Sequence, residues 1–441
     1  MPTFVHISDI HFGQEKRAGE VYVNDDVRER LIEDAGKVLR ALNKYPADGI
    51  LVSGDVAYGG KTEEYREAGK WLDRMTVAVG CQKPSVHLVP GNHDVDRSEI
   101  SYAVELLLQK IADDGEPTLD QCLANPNDRK ILYARFAAYI PFAEAYNCAL
   151  DGKGGLAGDK PVPLRDGKTL RFIGLNTALT CSKGKNEEGR LVVGAKQRVL
   201  PQQHGEEIIV LAHHPMAWLQ DGRDALAYIR NRARVLITGH EHNPAVTAES
   251  TEDGRDLLIL AAGATVPPST ETLRYIYNII EFDLDPSGEK LLVTVHPRSW
   301  QDSKKNFTED SSPLQGKGPT FILRCPNFGA PLADVSTCDS HGAQEPDLSD
   351  RSTHEEQASK AEAEQMSDEF ALVLLRFFRD LSPGQRVRVL VRLGALPSDW
   401  SEDLSHGIER QVVDQLESAD RLHELSQAID WVISSDHDGR S

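Results

Sequence analysis

The chain has little that would commit it to a membrane, an oxidising compartment or a nucleic-acid partner. No apolar run approaches the roughly 18–20 residues that a bilayer-spanning helix needs, so no membrane span is expected. The opening residues Met1-Pro2-Thr3-Phe4-Val5-His6-Ile7 read as a strand without a basic n-region, so no targeting signal is expected. Six cysteines (81, 122, 148, 181, 325, 338) are scattered without a Cys-x-x-Cys pair, which in a chain of 441 residues favours free thiols in a reducing compartment. These absences together lead us to expect a cytoplasmic protein. Basic residues are also short: 49 Lys and Arg against 69 Asp and Glu leave a net charge of -20. Such a surface repels nucleic acid and anionic membrane at long range, and no basic stripe tracks a phosphate backbone. A phosphate-bearing substrate then needs a local positive source, which bound metal ions supply. There is also no serine-hydrolase elbow and no Walker lysine pattern, which removes two rival mechanisms.

What is present is ordinary for a globular protein, 40% apolar and 27% charged, in a length that suggests two or three domains. The first half alternates short apolar runs with helical-period segments. Strands are expected at about 3–8, 49–53 and 85–90, with helices at about 26–45 and 62–79. That alternation indicates βαβ units and a mostly parallel sheet. Residues 98–147 read as helical and a glycine-rich loop follows at 151–159, either a lid or a surface connection. Strands return at 169–176, 206–213 and 234–239, then β-rich stretches at about 244–262 and 274–297. We expect one domain over 1–325, with 98–165 as an insert long enough to cap a crevice and select substrate. Residues 326–366 are rich in Asp, Glu, Ser, Gly and Pro and read as a solvated linker. Residues 367–435 recover a helical pattern through Phe370, Leu372, Leu374, Leu375, Phe378, Val387, Leu390, Leu393, Leu422, Leu425 and Ile429, punctuated by Pro383, Gly384 and Pro397.

Five polar blocks stand just past the carboxyl ends of the expected strands: Asp9-Ile10-His11, Gly54-Asp55, Gly91-Asn92-His93-Asp94, His213-His214-Pro215 and Gly239-His240-Glu241-His242. Ligands of open α/β sheets bind at that edge, so the blocks are expected to converge on one crevice. Any one of them alone reads as a turn or a chance pairing; five in this placement do not. Asp, His and Asn without a thiolate suit borderline-to-hard ions such as Mn, Fe or Zn, and a carboxylate can bridge two of them at about 3.5–4 Å. His6 and His87 lie within strands and read as packed core groups. Arg97 can clamp a phosphate in fork geometry or pair with Asp94 or Asp96. His296 and Trp300 lie far along the chain and read as structural.

Over about residues 1–300 these blocks resemble the calcineurin-like metallophosphoesterase superfamily. The wording is closest to a bacterial branch, through Ser53 to Ala57 and Pro90 to Arg97, with Gly189, Gly194, Gln197, Trp300 and Asp302 in keeping. The resemblance implies a four-layer αββα sandwich of two sheets with flanking helices. It also implies that Asp9, His11 and His242 hold one metal, that Asn92, His213 and His240 hold the other, and that Asp55 bridges. It favours His213 over His214 as ligand. His93 is implied to donate to the leaving-group or phosphoryl oxygens, with Asp94 beside it as a second catalytic residue able to orient it. Two cations lower the pKa of a bound water, so the chemistry expected is in-line attack of a metal-bound hydroxide on a phosphomonoester or phosphodiester, with no protein nucleophile.

The stretch Leu375 to Leu381 with Val387 to Leu396 resembles effector-associated, death-like adaptor domains of bacterial conflict systems. That implies recruitment of a protein partner through a small all-α module. Three functions stay open: hydrolysis of a nucleotide-like small molecule, a nuclease in a defence system, which the net charge disfavours, and a binding module with a degenerate centre, which the intact ligand set disfavours.

Overall fold

The computed structural model of the chain describes residues 1–14, 21–184, 187–251, 254–267 and 274–328, and further on 373, 377, 381, 383–397, 400, 412–413, 416 and 421–438. The chain divides into two compact units, Met1–Asp334 and Val335–Ser441.

In the first unit, β1 (Thr3–Ile7), α1 (Val21–Ala41), β2 (Gly49–Val52), α2 (Thr62–Val79) and β3 (Val86–Leu88) make the expected βαβαβ run. β1 and β2 are buried at every residue, as parallel strands covered on both faces require. α1 begins and ends earlier than the periodicity predicts. Asn43 takes a left-handed backbone (φ 57°) and Lys44 N–H closes on Leu39 O at 2.8 Å, which stops the helix before Pro46. α2 starts where Glu64 accepts from Lys61 N–H (3.0 Å) and stops at Gly80, left-handed at φ 82°. The insert is four helices, α3 (Tyr102–Asp114), α4 (Glu116–Ala124), α5 (Pro126–Ala134) and α6 (Tyr139–Glu144). Ser101 and Asn125 cap α3 and α5 through their side-chain oxygens.

The insert is narrower than 98–165, because Gly158–Pro163 is a strand, β4, paired antiparallel along its whole length with β5 (Thr169–Gly174). The turn before it is tied to the insert, Tyr133 Oη donating to Asp151 O at 2.7 Å. α7 (Ala195–Arg198), β6 (Glu206–Leu211), α8 (Gly222–Arg232), β7 (Ala233–Thr238), β8 (Ala245–Glu249) and β9 (Leu257–Ala261) follow. β10 (Ile276–Leu284), β11 (Lys290–Gln301), β12 (Asn306–Glu309) and β13 (Thr320–Arg324) complete the unit. The linker expected from residue 326 begins too early: Pro326–Phe328 is a helical turn, Phe328 is buried, and Asn327 N–H donates to Glu207 at 3.1 Å. Residues 329–366 of that expected linker lie outside the described residues.

One sheet runs β12-β11-β10-β1-β2-β3 with β13 on β11, and the other runs β4-β5-β6-β7-β9-β8. β1–β3 are parallel and so are β5-β6-β7-β9, while β10 joins β1 antiparallel. Apolar residues of alternate parity from both sheets face each other in one dry layer. Phe172 is its pivot, with ring centroids 4.9 Å from Phe4 and 5.8 Å from Phe282. The opposite parity (Val5, Ile50, Val52 on one sheet; Val210, Leu236 on the other) packs under α1, α2 and α8. This is the four-layer αββα arrangement.

His6 and His87 are buried within it, His6 bonded to Ser53 Oγ at 2.9 Å and His87 packed on Phe172 with ring centroids 4.6 Å apart. His296 pairs with Glu281 (2.8 Å), and Trp300 donates to Asp302 (3.1 Å) while packing on Phe307. The five described cysteines are free, and Cys338 lies outside the described residues. In the second unit, α9 (Pro383–Arg392) and α10 (Leu422–Asp438) share a buried cluster that includes Val373, Phe377, Leu381, Val389, Leu390, Leu425 and Ile429. Phe370, Leu372, Leu374, Leu375 and Phe378 lie outside the described residues. Among the described residues no helix is long and apolar enough to cross a membrane.

Candidate metal centre

All five blocks lie at one edge, and backbone hydrogen bonds stitch them together there. Asp9 N–H donates to Gly54 O (3.0 Å) and Gly239 N–H to His213 O (2.9 Å), while His240 N–H reaches the Asp9 carboxylate at 3.3 Å. Leaving a strand and at once aiming a side chain back across its end demands an unusual backbone. Asp9, His11, Asp55, His240 and His242 all take it, with φ of 53°, 52°, 53°, 72° and 53°. Left-handed non-glycine residues cost of order 1–3 kcal/mol each where the surroundings impose them, and Asp and His are among the types that tolerate it. Two glycines allow the close approach. At Gly54 (φ 100°) a Cβ would run into the His213 ring, and at Gly239 into Ser8 Oγ and Asp9.

The side chains form two overlapping groups. His242 Nε2 lies 3.3 Å from Asp9 Oδ1, and Asp9, His11 and His242 present donor atoms within 4.8 Å of one another. Asn92 Oδ1 lies 3.1 Å from His213 Nε2 and 3.0 Å from His240 Nδ1. Asp55 stands between the groups, its Oδ2 3.3 Å from His11 Nε2 and 3.3 Å from His213 Nε2. The far sides of the rings are fixed by backbone: His11 Nδ1 lies on Val266 O at 3.2 Å and His213 Nδ1 on Ser53 O at 2.9 Å. Each Nδ1 therefore carries a proton, and each Nε2 is turned on Asp55. In the bare centre a proton on His213 Nε2 answers the Asp55 carboxylate. Only protons or cations can occupy that space without repulsion, and Asp9 Oδ1 adds another buried oxygen, with His242 Nε2 3.3 Å away. The residues present thus fit a pair of cations.

The electrostatics of the bare centre express the same excess of acceptors. Burial alone would raise Asp9, but the His242 hydrogen bond and the His213 charge outweigh it and hold it at about 2. Asp55 is likewise held well below the carboxylate range, against burial, chiefly by the charges of His213 and His93. Burial opposes protonation of His213, yet Asp55 and Asp9 win and raise it to about 9. Burial and the His213 charge depress His240 to about 4.

Asn92, His93 and Asp94 form one turn of 3₁₀ helix, so successive side chains point about 120° apart. Asn92 faces His213 and His240. His93 is half-buried: its N–H donates to Asp55 Oδ1 (2.8 Å), its Nδ1 to Tyr58 O (2.8 Å), and its ring stacks on Tyr58 at 5.0 Å. Asp94 turns the other way, and this corrects its expected part as the group that orients His93. Its carboxylate accepts from Gly91 N–H (2.9 Å), Ala57 N–H (2.9 Å), Val56 N–H (3.3 Å) and Tyr65 Oη (2.8 Å). Burial and the nearby Asp55 push it up to about 6. Asp94 is a brace for the loop, and Tyr58 orients His93. His214 is also buried, its Nδ1 on Thr177 Oγ1 at 2.9 Å, and burial with the His213 charge holds it well below the usual imidazole value. Gln197 clamps Asn176 by both backbone groups, at 2.7 and 3.2 Å.

Several contributors escaped the sequence reading. Ser53 O, Tyr58 O and Val266 O are backbone atoms and carry no residue signature. Trp218, edge-on to His240 at 4.1 Å, gave no motif. Thr265 and Val266 lie past the carboxyl end of β9, and the same strand-end rule applied there would have found them.

Residues 2–244 match the calcineurin-like phosphoesterase family, and residues 369–431 match the GTPase-associated adaptor domain. An uncharacterized metallophosphoesterase-like protein of Bacillus subtilis is 25% identical over 298 residues, 64% of this chain and 57% of that protein. The chain thus spans a little over half the length of the relative it matches. Among solved structures, the NAD nucleotidase of Haemophilus influenzae aligns over 70% of this chain and 53% of its own at 13% identity and TM-score 0.34. A purple acid phosphatase from yellow lupin seeds aligns over 78% and 57% at 12% identity and TM-score 0.40. The family match spans more than half the chain and includes every one of the strand-end blocks, so the chain belongs to the calcineurin-like phosphoesterase family.

Proposed function

We propose that this protein is a two-metal phosphoesterase that hydrolyses a phosphomonoester or phosphodiester of a nucleotide-like small molecule. The observation that carries it is Asp55 Oδ2, flanked at 3.3 Å by the Nε2 atoms of His11 and His213, whose Nδ1 atoms are both turned to backbone carbonyls on the far side. On this reading Asp9, His11 and His242 hold one ion, Asn92, His213 and His240 hold the other, and Asp55 serves both. His213 is the ligand rather than His214, whose Nδ1 is engaged by Thr177. Mn, Fe or Zn suits the donor set, and ions there supply a lowered water pKa and positive charge for the phosphoryl oxygens. His93 keeps Nδ1–H on Tyr58 O and, as imidazolium, offers Nε2–H to the leaving-group oxygen. Burial holds its pKa down, so it takes that proton when an anionic substrate is beside it. The C-terminal unit, by its match to an adaptor domain, recruits a protein partner.

The test is to load the protein with Mn and offer a chromogenic phosphate monoester and diester, cyclic nucleotides and single-stranded DNA. Turnover of the small esters, abolished by Asn92→Ala, is expected. Activity on DNA alone would favour the nuclease reading, and no activity on any of them would favour a binding module.

A further inference from the structure

A cavity of about 290 Å³ opens beside His93, walled by Tyr58, Lys61, Val95, Asp96 and Arg97. Glu64, also on its wall, accepts from Gly59 N–H (2.9 Å) and Lys61 N–H (3.0 Å). Lys61 Nζ is held by Asp96 (2.5 Å) and Ser98 Oγ (2.5 Å). Asp96 also accepts from Ser98 N–H at 2.9 Å, and Asp94 is saturated by its four donors. The two acids beside Arg97 in sequence are therefore both occupied, and the buried Glu187 feels its charge without a hydrogen bond or ion pair to it. The Arg97 side chain makes no hydrogen bond or ion pair among the described residues, and its Nε is buried without a partner. Arg97 is half-exposed, so its fork remains partly in water, and with no carboxylate bound to it beside His93 it is free to take an anion from outside the chain. Its backbone is fixed for the purpose: Asp96 N–H donates to Arg135 O at 2.9 Å, and Arg135 is itself buried.

We infer that Arg97 grips a second phosphate of the substrate, so that the preferred ester carries a further phosphate beside the scissile one, as nucleoside diphosphates and triphosphates do. The inference rests on the two-metal reading for the scissile phosphate. The planar fork of arginine takes two phosphate oxygens at once, which a lysine at the same place does not. In a chain of net charge -20, this local cation offsets the repulsion a polyphosphate meets.

The test compares kcat/KM of the Mn-loaded full chain on ADP, ATP and p-nitrophenyl phosphate for wild type, Arg97→Ala and Arg97→Lys. We expect Arg97→Ala to lower the ADP-to-nitrophenyl ratio roughly 10- to 100-fold, mainly through KM, and Arg97→Lys to restore only part of it. An unchanged ratio, or a wild type that cleaves the nitrophenyl ester and neither nucleotide, overturns the inference and leaves the two-metal reading standing. A wild type that cleaves no ester overturns the two-metal reading instead. Arg97 is then judged by calorimetric binding of inorganic pyrophosphate, expected to weaken at least tenfold in Arg97→Ala, and equal affinity overturns it.

Discussion

Asp94→Ala should unfold this protein more readily before it tells anything about chemistry. The carboxylate closes on four buried donors, three at 2.8–2.9 Å and one at 3.3 Å. Each orphaned buried donor costs about 1–3 kcal/mol, and water entering the vacated space recovers part, so a loss of about 3–5 kcal/mol is expected. That is a large share of the roughly 5–15 kcal/mol that holds a domain. Asp94→Asn keeps the shape but sets an amide donor against two of the four donors, and should cost about half as much. Tyr65→Phe removes one donor and its need together, so adding it to Asp94→Ala should cost less than the sum of the two changes. Urea denaturation of the Mn-loaded chain, followed by tryptophan fluorescence, measures all of these. A variant stable to within about 1 kcal/mol of wild type that has nonetheless lost turnover and one limb of its pH profile would refute the bracing role and restore Asp94 as a proton-transfer group.

Ion binding should expel the His213 proton. His213 rises to about 9 in the bare centre, so its protonated form stabilises that state fully below pH 6.5 and progressively less as pH climbs through 9. At pH 7.5 an arriving ion needs the same lone pair, and calorimetry in buffers of unlike ionisation enthalpy should find about one proton released per chain; none released would remove His213 from the ligand set. His87, held at about 3 by burial and the Lys160 charge, behaves oppositely. The unfolded chain takes up that proton below 6.5 and the folded one does not, so stability falls as pH drops, by about 2 kcal/mol at pH 5. His87→Leu should flatten that slope in denaturation at pH 7 and 5, and a slope equal to wild type would contradict the assignment. Gly54→Ala puts a side chain at φ 100° against the His213 ring and should weaken Mn binding roughly tenfold or more. Undiminished metal content after dialysis would show that the loop yields.

How far the centre could be read in advance depended on which atoms do the work. Asp9, Asp55, His213 and His240 follow apolar runs that had to be buried strands, and parallel strands bring their carboxyl ends to one edge. Side-chain identity and strand order were enough there. Orientation was another matter, since His11, His93 and His213 are aimed by the carbonyls of Val266, Tyr58 and Ser53, which any residue supplies. Asp94 misled for a geometric reason: neighbours in sequence are neighbours in space along a strand or loop, but a 3₁₀ turn fans them apart. The β4 strand was missed because its alternating half-burial, with two prolines and a lysine on an edge, resembles a polar connection.

Arg97 shows the converse. In sequence it had two acidic neighbours, and pairing was as good a reading as phosphate binding. The fold decides by spending both acids elsewhere: Asp94 on the strand-end loop and Asp96 on Lys61. A local charge count gives near neutrality and predicts nothing, whereas a count of partners leaves one cation unmatched next to His93. The same partner count applies at Asp55, where lone pairs rather than a cation are in surplus. One surplus calls for metal and the adjoining one for phosphate, and an ester carrying two phosphates would satisfy the second while its scissile group meets the first.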